Sequence, residues 1–176
     1  LVKYPFRIIH KDSPDPRGID VAALYDSRQF KLLAHQYLPL VCKEKRLRTR
    51  EILYMKGLVH QHDTLHLFFN HWPSKWQGAT ATQPSRNCAA GILKKHVDSL
   101  RRAHPQAKVV LAGDFNDPPE AESLKNHLMA LPPGKQGDPA SLVNLSANWK
   151  GLPAGTQKYR SGWQILDQFI LRETLL

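Results

Sequence analysis

Val109-Val110-Leu111-Ala112-Gly113-Asp114-Phe115-Asn116 decides the reading of this chain. The apolar run before the glycine fits a strand buried on both faces. Just beyond it stand a carboxylate and a carboxamide two residues apart. At strand spacing Asp114 and Asn116 point to the same side of a sheet end. A carboxylate there can bind a divalent cation or take a proton from water. A carboxamide can hold a phosphate oxygen or the attacking water without adding charge. The same residues also suit a turn in which both side chains bond the loop backbone, so their weight depends on what else the chain carries.

Two other segments carry related signals. Residues 65–74 read as an alternating strand that delivers His71 at its C-terminal end, beside Trp72 and the turn-former Pro73. Imidazole there can protonate a leaving oxygen or stabilise a pentacovalent phosphate. The plainer reading is a hydrogen-bonded surface histidine. Residues 163–170 place Asp167 inside an apolar strand, where a carboxylate is costly unless a metal or donors satisfy it. The alternative is an edge-strand aspartate facing water.

Working outward, strands are expected at residues 4–10, 19–25 and 109–112, and near 156–160 and 163–171. Residues 51–59 and 64–70 flank a polar turn and suggest a hairpin, while 30–41 is ambiguous. Residues 85–104 predict a helix, with Ala89, Ile92, Leu93, His96, Val97 and Leu100 on one stripe and Pro105 as a stop. A second helix is expected from Asp117, an N-cap with Pro118 at the first helical position and Leu124, Leu128 and Leu131 on its apolar face. Hairpins mixed with helices argue for an α/β (α+β) fold of stacked mixed sheets, not a doubly wound sheet.

The chain has 176 residues, 41% of them hydrophobic, which suits one globular domain spanning 1–176. Lys plus Arg number 25 against 15 Asp plus Glu, an excess that draws phosphates, nucleic acid or anionic headgroups to the surface. No apolar run approaches the roughly 20 residues that span a bilayer, so a soluble protein is expected. The opening Leu1 carries no initiator methionine, and upstream sequence is expected. Cys42 and Cys88 permit at most one internal disulfide. Residues 43–50 form a basic run that suits a solvated loop or, alternatively, a nucleic-acid backbone, and His60, His62 and His66 read as exposed turn histidines or as a transition-metal cluster. Trp72 and Trp76 suit either a cleft or the core.

Taken together, the three motifs resemble the endonuclease/exonuclease/phosphatase (DNase I-like) superfamily. Its members carry a strand ending in histidine, then Gly-Asp-x-Asn, then a late strand with an Asp-His pair. Here these are Asn70-His71-Trp72-Pro73-Ser74, Gly113-Asp114-Phe115-Asn116 and Leu166-Asp167-Gln168, and residues 17–22 are similar to the family strand after its catalytic glutamate. The resemblance covers nearly the whole chain. It implies a four-layer sandwich of two mixed β-sheets flanked by helices, incomplete at the N-terminus. It also implies hydrolysis of a phosphodiester or phosphomonoester with Mg²⁺ (or Mn²⁺ or Ca²⁺). It does not choose among nuclease, sphingomyelinase and sugar or inositol phosphatase chemistry, so the expected partner is a phosphorylated substrate, with nucleic acid among the candidates.

The resemblance also implies roles. Asp114 would orient or deprotonate the attacking water, Asn116 would hold the phosphate, and His71 would stabilise the transition state or assist the leaving group. Asp167 would join Asp114 at the metal, and the planar fork of Arg17 would contact phosphate. Two departures stand out. No segment matches the family's upstream Asn motif or its metal-binding glutamate, and Gln168 stands where the family has histidine. Glutamine donates and accepts hydrogen bonds but cannot exchange a proton near neutral pH. Gln168 is therefore placed in the catalytic set as a positioning group. A weak or silent phosphate- or nucleic-acid-binding module of the same fold is the alternative.

Overall fold

The computed structural model describes residues 4–60, 62–76, 78–135, 141–149, 154–172 and 175. Its strands are β1 (Phe6–Ile9), β2 (Ala23–Asp26), β3 (Phe30–Leu38), β4 (Val41–Cys42), β5 (Lys45–Arg46), β6 (Ile52–Val59) and β7 (Asp63–His71). The helix α1 (Ala79–Ala103) then precedes β8 (Lys108–Asp114), β9 (Ala130–Leu131), β10 (Leu142–Asn144), β11 (Gln157–Tyr159), β12 (Gly162–Gln164) and β13 (Asp167–Arg172). Seven strands form one mixed sheet in the order β3-β6-β7-β8-β13-β10-β9. β7 and β8 are parallel and α1 is their crossover, as a parallel pair requires. The expected hairpin of β6 and β7 is present, pairing Val59 with Asp63.

Alternation sorts the sheet's two faces. Ile52, Tyr54, Phe68, Val109 and Leu111 turn to one side, where Ala89, Ala90, Leu93 and Val97 of α1 cover them. This is the helical stripe the periodicity predicts, although α1 begins six residues earlier than expected. Leu53, Met55, Leu67 and Phe69 turn to the other side, where Ile9, Val21 and Ala23 of the β1–β2 region join them. Among the described residues, then, the layers are a helix, a seven-stranded mixed sheet and a two-stranded sheet. β8 lies between β7 and β13, and its Val109 and Leu111 are fully buried.

The second expected helix is not formed as such. After Asp117 come turns and a five-residue π-helical segment, Ser123–His127. Pro119 disfavours the helical conformation for the residue before it, Pro118. The Asp117 carboxylate is also taken by side chains, with Ser123 Oγ donating at 2.6 Å, instead of capping backbone N–H groups. The three turn histidines part company. His60 and His62 are exposed, while His66 is 3% exposed and meets the Tyr54 hydroxyl through Nδ1 at 2.7 Å. No helix among the described residues is long and apolar enough to cross a membrane.

Cys42 and Cys88 form a disulfide that ties β4 to α1 across 46 residues. In the chain-entropy account a loop of that length is worth roughly 4 kcal/mol. Reduction, or Cys42→Ser with Cys88→Ser, is expected to lower the urea midpoint while leaving the far-ultraviolet circular dichroism of the folded state unchanged. A midpoint indifferent to reductant would show that the bridge constrains nothing.

Candidate active site

Three strands that are neighbours in space deliver the candidate residues to one end of the sheet. His71 ends β7 and pairs in register with Asp114, which ends β8. Asp167 opens β13 and pairs with the same Asp114 from the other side. Backbone bonds fix the level of the ends: Trp72 N–H donates to the Asp114 carbonyl at 2.9 Å, and Phe115 N–H to that of Leu166 at 2.9 Å. Gly113 holds φ 123°, and a Cβ there would collide with the Asn70 backbone. The close approach of β7 and β8 beside the carboxylate therefore needs glycine.

His71 Nε2 lies 3.7 Å from Asp114 Oδ2, and both side chains are about 30% exposed, at 29% and 31%. Burial, then the charges of Arg50 and Arg17, push the His71 imidazole down to about 4. At neutral pH this contact is accordingly not an ion pair. Burial pushes the Asp114 carboxyl up, against the Asn116 backbone N–H that donates to it at 2.7 Å. The nearby charge of Asp167 adds to the rise, while Arg50 and Lys75 oppose it.

Asn116 takes a positive φ of 52° and is nearly buried. Its Nδ2 donates to the Trp72 carbonyl at 2.9 Å and to Asp114 Oδ2 at 3.3 Å. The amide thus braces Asp114, and those donors are not turned toward a phosphate. Arg17 forks onto Asp15, with Nε and Nη2 each at 3.1 Å, so its donors serve a carboxylate in this structure. It still lines a cavity of about 290 Å³ with Arg48 and Trp76. Trp76 is exposed, whereas Trp72 is fully buried edge-on to Phe115.

The structure turns Gln168 away from the cluster. It is 3% exposed, its Nε2 donates to the Asp117 carbonyl, and its Oε1 accepts from Asn144 Nδ2. Successive strand residues face opposite ways, so a neighbour of Asp167 cannot share its side. Sequence reasoning also missed Arg50 and Asp15. Arg50, read as part of a solvated basic loop, is 2% exposed, donating to Asp15 at 2.6 Å and to the Trp72 carbonyl at 2.6 Å. Its place two residues before the apolar start of β6 was the available signal.

Asp114 and Asp167 have the donor chemistry for a divalent cation. Mg²⁺ commonly takes one or two carboxylates and keeps several waters, and a cation would relieve the repulsion that raises Asp114. Among the described residues, the group of three possible ligands that converges is His10, Asp12 and Asp20, elsewhere on the surface.

Residues 1–176 match the Endonuclease/Exonuclease/phosphatase family. No curated protein sequence matches significantly. The human Nocturnin catalytic domain is similar in fold, with TM-score 0.70 at 12% identity over 96% of this chain and 61% of that one. The D. rerio TDP2 complexed with a single-strand DNA product gives 0.61 at 15% identity, over 96% and 62%. ANGEL2, a 2′,3′-cyclic phosphatase, gives 0.66 at 10%, over 96% and 62%. The chain thus spans about 61% of the Nocturnin chain.

Asp15 offers a test of the support beneath the cluster. Burial alone would raise its carboxyl, but hydrogen bonds from Arg17 and Arg50 outweigh this and hold it far below the ordinary range. Its contribution should be complete above the unfolded value of about 3.9 and be lost as pH falls below it. Asp15→Asn, which strands the Arg50 charge, is expected to cost about 3–5 kcal/mol at pH 7 and to flatten the acid limb of stability below pH 4. Urea melts from pH 2.5 to 7 check both, and an unchanged acid limb would contradict the assignment.

Proposed function

Because the chain belongs to the endonuclease/exonuclease/phosphatase family, we propose that it is a metal-dependent phosphoesterase whose chemistry takes place at His71, Asp114 and Asp167. One observation carries the reading. Strands far apart in sequence end at one level, and each delivers a group suited to phosphoryl transfer. The four-layer sandwich belongs to the same proposal. The outer side chains of β1 and β2, Phe6, Ile8 and Leu24, are apolar and exposed, as the face of a second sheet that outer helices cover would be.

Asp114 and Asp167 would hold the cation, which when bound would polarise the phosphoryl oxygen and neutralise charge developing there. Asp114 would also stand where it could orient the attacking water or take its proton. His71 is uncharged at neutral pH and can donate a hydrogen bond through its single N–H to a phosphate oxygen or to the leaving oxygen. Asn116 keeps the Asp114 carboxylate in place. Arg50 and Arg17 supply a fixed positive field behind the site, which favours an anionic ester. The DNA-bound D. rerio TDP2 supports keeping nucleic acid among the substrates, as do the net charge of +10 and the basic cavity at Arg17 and Arg48.

A second reading, a weak or silent phosphate- or nucleic-acid-binding module, draws support from the pair of carboxylates, which no third joins among the described residues, and from the inward turn of Gln168. Turnover of bis(p-nitrophenyl) phosphate with Mg²⁺ or Mn²⁺ separates the two. The proposal expects metal-dependent hydrolysis, reduced at least about a hundredfold in kcat by Asp114→Asn, the scale of a general base. Turnover near wild type in that variant at saturating metal would place the chemistry elsewhere. Absence of metal-dependent turnover in the unaltered protein would favour the silent module. With so few anionic ligands, calorimetry is expected to find no micromolar Mg²⁺ site.

A further inference from the structure

Beside the catalytic cluster lies a cleft of about 330 Å³ whose walls include Lys75, Pro118, Trp149, Trp163 and Ile165. Its size is that of a small-ligand site. Two indoles line it, Trp149 at 42% and Trp163 at 48% exposure. Trp163 sits on the hairpin of β11 and β12, directly across from Lys158, whose ammonium lies 5.8 Å from the ring centroid. Along the same hairpin the Arg160 guanidinium lies 5.4 Å from the ring of Tyr159. All four side chains are exposed. Lys158 and Trp163 share one face of the hairpin while Tyr159 turns to the other, and an exposed indole with a cation beside it suits a base that stacks while its backbone is neutralised.

The hairpin is tied to the catalytic strand. Thr156 Oγ1 accepts the backbone N–H of Leu166 at 2.9 Å and of Asp167 at 3.0 Å. Ile165 lines the cleft two residues before Asp167, about 7 Å along an extended chain. On the facing wall Lys75 lies 3.4 Å from Asp117, and its charge acts on Asp114. A flat ring in the cleft would therefore place a phosphate joined to it through a sugar at the carboxylates. Sugar and inositol phosphates can lay a C–H face on one indole but offer no aromatic π-face to stack between two. A cationic lipid headgroup suits an aromatic cage, and Glu120 also lines the cleft, but Lys75 on its wall and Lys158 beside Trp163 oppose a cation there.

We propose that this cleft stacks a nucleobase between Trp149 and Trp163, making a nucleotide or single-stranded nucleic acid the ligand at this site. Calling that ligand a substrate rests on the phosphoesterase reading, whereas stacking is testable by binding alone. Fluorescence anisotropy of the full chain, in EDTA to prevent turnover, would compare labelled oligothymidylate with an abasic strand of equal length. The base-bearing strand is expected to bind about tenfold tighter, the scale of one stacked base. Trp163→Ala and Trp149→Ala should each erase that preference while the affinity for the abasic strand stays the same. Trp163→Phe should retain most of the preference, which guards against loss through misfolding. Equal affinity for both strands, or a full preference in Trp163→Ala, would overturn the assignment. A base preference without hydrolysis of bis(p-nitrophenyl) phosphate supports the cleft and removes the phosphoesterase. Hydrolysis without base preference does the reverse.

Discussion

The carbonyl oxygen of Trp72 receives two donors, Arg50 Nη2 from below and Asn116 Nδ2 from the side. The same residue's N–H is bonded to the Asp114 carbonyl. Through this one peptide group the end of β7, the turn after β8 and the charged base of the site share a fixed geometry. Arg50 is the costly member, because a guanidinium out of water must be matched by a carboxylate and by acceptors. Asp15 and the Trp72 carbonyl supply both. What the arrangement returns is position: the carboxylate of Asp114 is braced by Asn116 and faces His71, with a positive field behind it.

A second buried ion pair secures the site from the helix side. Arg86 of α1 is fully buried, and its Nε lies 2.8 Å from Asp117 Oδ2. Gln83 donates to the same oxygen at 3.1 Å. The helix that makes the crossover from β7 to β8 thus also grips the loop after Asn116. Gln168 completes this inner scaffold, linking the Asp117 carbonyl to Asn144 on β10. Pairs of this kind add less to stability than to the choice of one arrangement over others, and a functional site needs its groups held to within a fraction of an ångström.

His71, Asp114, Asn116 and Asp167 were legible because each stands at or just beyond a strand end. Strand patterns are local, and the order of the motifs carried the rest. Gln168, expected as a positioning group, turns to the inner face as alternation along β13 argues, where it holds the Asp117 carbonyl. Arg50 with Asp15 and Arg86 with Asp117 were not legible, since the partners are 35 and 31 residues apart and only tertiary packing joins them. Such partners look in sequence like ordinary surface charges. The failed helix after Asp117 has the same origin: a good N-cap residue was recruited by side chains of another element. Trp149 and Trp163 escaped notice because nothing in their local sequence shows that they share a cleft.

The account rests on Asp114 and Asp167 acting together on a cation and a phosphate. The most direct measurement is anomalous scattering from a crystal soaked with Mn²⁺ and a non-hydrolysable phosphodiester. The account predicts a peak between the carboxylates of Asp114 and Asp167, with a phosphate oxygen within hydrogen-bond reach of His71. A peak confined to His10, Asp12 and Asp20, or none beside Asp114 at saturating Mn²⁺, would contradict it.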